Sequence, residues 1–208
     1  SVVSALGMSP ISGATVTISY TGDPDSPIET LTTDESGQTP EINLKAPPRE
    51  LSLTPDITEQ PYSEYNIQVT AEGFEAVLVS GSEILAGAYS LQPIRMNPLD
   101  VTEEEEKVVV IPPHTLFGEY PPKIPEEEIK PMNETGEIVL SRVVIPEYVI
   151  VHDGDPEDPT ARNYWVRYKD YIKNVASSEI YPTWSESAIY ANILVIQSFT
   201  LNRIFTEW

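Results

Sequence analysis

Glu179 is the one carboxylate that helical spacing sets among apolar side chains. It lies in the stretch KDYIKNVASSEIYPTWSESAIYANILVIQSFTLNRIFTEW, from Lys169 to Trp208. There Ile172, Val175, Ala176 and Glu179 fall at i, i+3, i+4 and i+7, one face of a helix. A glutamate on a core-facing stripe is costly to ionise, so its pKa is expected to be raised. A carboxylic acid that keeps its proton near neutral pH is what glycoside cleavage uses as general acid. The same spacing also admits a helix-end glutamate that faces solvent. Tyr181 and Trp184 follow, with rings that could stack on a sugar or pack in a core. Asp170 and Glu186 are the nearby carboxylates for a two-carboxylate glycosidase site. Asp170 falls on a different face of the helix, and Glu186 reads as a capping residue. A single-acid mechanism therefore fits better than a pair.

Other chemistries find little support. His114 and His152 are the only histidines, and neither has metal-ligand or nucleophile spacing. The oxygen-rich loop from Val151 to Pro159 suggests calcium, but an EF-hand needs a glutamate at its twelfth position, which counted from Asp153 is Tyr164. An ordinary surface loop fits it better. No Gly-rich phosphate loop, G-x-S-x-G elbow or HExxH occurs. No metal and no cofactor is expected. The chain has no cysteine, so packed cores must supply its stability. With 33 acidic and 12 basic residues its net charge is −21, which repels nucleic acid and anionic membrane surfaces. No apolar run is long enough for a membrane span. The opening SVVSALGMSPISGATV is too short and polar for a signal peptide and lacks an initiator methionine. An earlier segment is expected to have been removed or not included.

Three regions position these residues, and the expected class is α+β. Residues 1–99 read as all-β. Ala14, Val16, Ile18 and Tyr20 alternate on one face, and Pro27–Thr32 leads into the turn Asp34-Glu35-Ser36-Gly37. Further strands are expected at Gln38–Leu44, Asn66–Ala71, Glu75–Ser80 and Tyr89–Met96, which together suggest a small β-sandwich. Residues 100–150 form an acidic, proline-rich linker with Glu103–Glu106 and seven prolines from Pro112 to Pro146. Its apolar insertions Val108–Ile111, Leu116-Phe117 and Ile138–Val144 are expected to pin it to a folded surface. Residues 151–208 read as mostly helical: one helix from about Tyr168 to Glu179, a break at Pro182, then Thr183–Glu186 as a capping box. The second helix, about Trp184 to Thr206, is apolar nearly all round. It is expected to be buried in a larger domain than these residues build.

The motif Tyr171–Trp184, YIKNVASSEIYPTW, resembles the opening of the domain found in the sporulation protein SpoIID. Residues 1–99, with Pro-Ile-Ser-Gly-Ala-Thr-Val, Thr-Thr-Asp-Glu-Ser-Gly-Gln and Tyr-Asn-Ile-Gln-Val-Thr-Ala-Glu-Gly-Phe in order, resemble the transthyretin-like, carboxypeptidase-regulatory-like module. Together with EYPPKIPE at Glu119–Glu126 and VIVHD at Val149–Asp153, these segments resemble clostridial spore cortex-lytic enzymes of the SleC type over essentially the whole chain. The resemblance implies a peptidoglycan lytic transglycosylase that degrades spore cortex during germination. Glu179 matches its acid, and Tyr181 and Trp184 would line the sugar site. It also implies a zymogen, cut by a subtilisin-like protease within Tyr148, Val149, Ile150 and Val151, with the preceding residues as propeptide. Location in the spore cortex or cell wall follows. Relatives of this kind continue past Trp208, so the chain is expected to be truncated and inactive as it stands. The alternative is a non-catalytic cell-surface or spore-coat binding or scaffold protein.

Overall fold

The computed structural model describes residues 1–99, 106–113, 116–117, 144–155 and 158–206. The chain is mixed α+β and divides into two compact units, Ser1–Gly118 and Glu119–Trp208.

In the first unit, the alternation at Ala14–Tyr20 produces β2 (Thr15–Tyr20), the second strand of a five-stranded sheet. The sheet runs β3 (Asp23–Thr32), β2, β4 (Ser63–Thr70), β5 (Val77–Ile84), β7 (Lys107–Val110). All its pairs are antiparallel except β5–β7, which is parallel. A second layer is the parallel pair β1 (Val2–Ser4) and β6 (Ile94–Met96). Val2, Ile94 and Met96 from this pair share a buried core with Val16, Ile18, Val69, Val77 and Val79 of the larger sheet. Tyr65 is 1% exposed, stacks on Tyr20 at 4.8 Å and donates its hydroxyl to the Lys45 carbonyl at 2.7 Å. Burial pushes that phenol's pKa up, with Tyr20 beside it adding to the shift.

Three donors hold the turn at Asp34–Gly37. The Asp34 carboxylate accepts from the backbone of Ser36 and Gln38 and from the Ser36 hydroxyl, at 2.7–2.9 Å. These bonds, Gln38 first, hold its pKa below the ordinary value. Nearby Thr33 is buried, donates its hydroxyl to the Ile11 carbonyl at 2.7 Å and accepts from the Ala14 amide at 2.9 Å. Thr33→Val keeps the shape and orphans both partners. It is expected to cost about 1–3 kcal/mol in chemical denaturation, whereas Thr32→Val on the exposed flank stays within roughly 0.5 kcal/mol.

Several segments depart from the sequence expectation. Gln38–Leu44 belongs to no strand, although burial from Glu41 to Ala46 alternates as a strand's does. Prolines at 40, 47 and 48 remove the backbone donors that a longer ladder would need. Of Tyr89–Met96, only Ile94–Met96 is a strand. Val108–Ile111 is anchored by pairing with β5, so the fold gives the sheet a strand inside the stretch 100–150. Most of that stretch, with His114, Ile138–Val143 and the prolines from 121 to 131, lies outside the described residues.

Before its two helices the second unit carries a hairpin, in a stretch read from the sequence as the end of the linker and a surface loop. Strands β8 (Tyr148–Asp153) and β9 (Arg162–Arg167) pair antiparallel, Val149 opposite Val166 and Ile150 opposite Trp165. The alternation is masked in the sequence because the outward face is apolar too: Ile150 is 56% exposed and Trp165 73%. Helix α1 spans Tyr168–Glu179, and α2 spans Glu186–Thr206. Val149, Tyr168, Ile172, Ala176 and Ile196 form their shared core. Tyr190, Leu194, Val195 and Phe199 on α2 stay exposed, so the all-round burial expected of this helix is met on one side only among the described residues.

Candidate functional site

Glu179 is the last residue of α1, on the stripe that holds Ile172 and Ala176, as the spacing requires. Its carboxylate is nevertheless exposed. Ile172 and Ala176 are buried with Val149 of β8 and Ile196 of α2, whereas the last residue of the helix is not. Of the two readings the spacing admits, the structure shows the solvent-facing helix end and not the core-facing glutamate. What the fold supplies instead is a tether: the Asn192 side-chain amide, one turn and a half into α2, donates to the Glu179 carboxylate at 2.9 Å. Asn192 escaped the sequence reading because a contact across a helix–loop–helix corner leaves no trace in single-helix periodicity.

The corner itself is fixed by two inward residues. Tyr181 and Thr183 are 4% and 3% exposed, while Trp184 between them and α2 is 39% exposed. The Trp184 amide closes a turn onto the Tyr181 carbonyl at 3.2 Å. Tyr181 thus occupies the core-packing alternative, and its ring faces cannot be reached by a sugar. Trp184 keeps accessible ring surface. The expected capping box is displaced: α2 starts at Glu186, and Ser185 is its cap, its hydroxyl accepting from the Ala188 amide at 3.3 Å. Glu186 does not cap. It accepts from the Tyr190 hydroxyl at 3.1 Å, which raises that phenol's pKa.

Asp170 lies in the first turn of α1, at the far end from Glu179, and pairs with Lys173 at 3.8 Å. Among the described residues, Asp170 pairs with Lys173, Glu186 with Tyr190 and Glu179 with Asn192, and the three carboxylates occupy different turns of the two helices. Of the residues proposed for proteolysis, Tyr148, Val149, Ile150 and Val151 all lie in β8, paired with β9. Val149 is 8% exposed and belongs to the core. A protease reads an extended, unpaired strand, so cleavage there would first require β8 to leave its hairpin. Val144 and Ile145, just upstream, are exposed and outside the ladder, while the Glu147 carbonyl accepts from the Tyr168 amide at 2.9 Å.

His152 sits at the end of β8 with both ring nitrogens facing oxygens, Nδ1 to Asn163 Oδ1 and Nε2 to the Asp155 carbonyl, each at 2.9 Å. Only the imidazolium donates to both. The Asn163 bond first, then the Asp155 bond, raise its pKa above the ordinary 6.5. Its contribution to the loop is then complete below about pH 6.5 and fades as pH climbs through the higher folded value. An NMR titration should place the His152 midpoint above that of free histidine; a midpoint at or below it contradicts the two-acceptor geometry. No group of His, Asp and Glu among the described residues is arranged to hold a metal ion. No helix of the described residues is long and apolar enough to cross a membrane. No protein-family model matches the chain, and no curated protein matches it.

Proposed function

We propose that this chain is a zymogen or fragment of a peptidoglycan lytic transglycosylase that degrades spore cortex, with Glu179 as its acid. The observation that carries the reading is the tethered and accessible Glu179 carboxylate, at the motif position of the acid in SleC-type enzymes. On this reading, residues 1–99 are a transthyretin-like module and the second unit opens a SpoIID-like domain. The Glu179 carboxyl protonates the glycosidic oxygen between N-acetylmuramic acid and N-acetylglucosamine as the bond to C1 breaks. As carboxylate it then takes the proton of the C6 hydroxyl, whose oxygen closes onto C1 to give a 1,6-anhydro end. No water is consumed. A saccharide seated over the corner would exclude solvent from the carboxyl, as this use of a carboxylic acid requires. Trp184 supplies an aromatic face for one pyranose ring.

Glycan strands of peptidoglycan are the substrate, in the spore cortex or cell wall, and a subtilisin-like protease is the activating partner. Exposed, unpaired backbone at Val144 and Ile145 favours activation there over the paired strand that follows. Full-length, processed protein incubated with purified cortex should release fragments with anhydromuramyl ends, read by mass spectrometry. Reducing ends in their place would make the protein a hydrolase. Intact cortex would favour a non-catalytic surface-binding protein.

A further inference from the structure

The first unit holds a cleft of about 1060 Å³, at the top of the roughly 300–1,000 Å³ range of ligand sites. Its floor is the inner face of the large sheet, including Val16, Ile18 and Ile67. One wall is Gln38–Leu44 and the other Ser82–Gln92. Both walls contain segments whose sequences pattern as strands and which find no strand partner among the described residues: Gln38–Leu44, and Tyr89–Gln92 before β6.

The first wall has the properties of an unoccupied sheet edge. Between Glu41 and Ala46, side chains alternate outward and inward, with Ile42 and Leu44 packed against the core. The backbone of this run makes one hydrogen bond to described residues, from the Tyr65 hydroxyl to the Lys45 carbonyl. Pro40 and Pro47 bracket it, which confines any added ladder to a short stretch. On the opposite rim, Tyr89 and Leu91 project at 74% and 66% exposure. Among the described residues, Glu41 and Glu83 line the cleft and no lysine or arginine does.

We propose that this cleft binds an extended polypeptide segment of a partner protein, which adds a strand to Glu41–Lys45. Backbone pairing supplies the recognition, and alternate apolar side chains of the incoming strand enter the cleft against Ile42, Leu44 and Leu91. A basic residue at its end complements Glu41. An acyl chain could fill the same apolar volume, but it would leave the amides and carbonyls of Glu41–Lys45 unmet. The inference stands apart from the catalytic reading and needs nothing from Glu179.

The test uses the whole chain and the synthetic peptide acetyl-Lys-Val-Thr-Val-Thr-Val-Lys-amide. Comparators are the same peptide N-methylated at alternate amides, and decanoate. Titration followed by amide NMR and hydrogen exchange should give saturable binding tighter than about 1 mM, with exchange slowed roughly tenfold or more at amides within Glu41–Lys45. The N-methylated peptide, which keeps every side chain and loses the donors, should bind at least about tenfold more weakly. Equal binding of the two peptides overturns the proposal. So does protection confined to β7, or decanoate binding without peptide binding, or no saturable binding of the peptide.

Discussion

Glu179→Gln is expected to lower the release of anhydromuramyl fragments by roughly 10²–10⁴-fold in the processed full-length protein. The proposed reaction uses this one carboxyl twice, and glutamine can neither give the first proton nor take the second. The side chain is exposed and its described partner is the Asn192 amide, so the fold should be undisturbed and the melting temperature unchanged. Asn192→Ala removes the tether and leaves the acid. A fall of about fivefold, the worth of one hydrogen bond, is the matching expectation. If Glu179→Gln digests cortex at the wild-type rate, the assignment of the acid is wrong. If Asn192→Ala is as inactive as Glu179→Gln, the asparagine does more than orient.

Gly37→Ala is expected to cost the first unit roughly 2–4 kcal/mol. Gly37 has φ of +73°, and a Cβ there would run into the Val2 carbonyl oxygen, with Pro10 Cβ at 3.1 Å and the Ile11 amide at 3.3 Å. The oxygen it meets accepts from the Ile11 amide at 3.1 Å, and the Gly37 carbonyl accepts from the Val2 amide at 2.7 Å. Relief of the collision must therefore pull β1 away from its neighbours. Gly13→Ala separates the two causes of strain. Its φ is +75° with nothing within 4 Å of the added carbon, so it should show only the backbone cost of about 1–2 kcal/mol. Equal losses from the two variants in chemical denaturation would mean that contact with Val2 contributes nothing.

Elements whose cause is local can be read from the order of residues. The bounds of α1 follow from its apolar spacing and from Pro182 beyond it. The strand at Thr15–Tyr20 follows from alternation, and the turn at Asp34–Gly37 from a carboxylate that caps its own loop and a glycine that tolerates positive φ. Each depends on neighbours a few residues away, and those neighbours are written in order along the chain.

Which of these surfaces are covered depends on packing between distant segments. The stripe of α1 was legible, but the exposure of Glu179 was not, because burial depends on atoms that arrive from β8, β9 and α2. Tyr181 and Trp184 were indistinguishable as aromatic residues, yet the corner turns one inward and leaves the other accessible. The parallel pairings of β1 with β6 and β5 with β7 join segments distant in sequence, and alternation carries no record of partner or direction. Gln38–Leu44 kept its strand pattern without a strand partner, since pattern requires only its own residues and a ladder requires a second chain segment within reach.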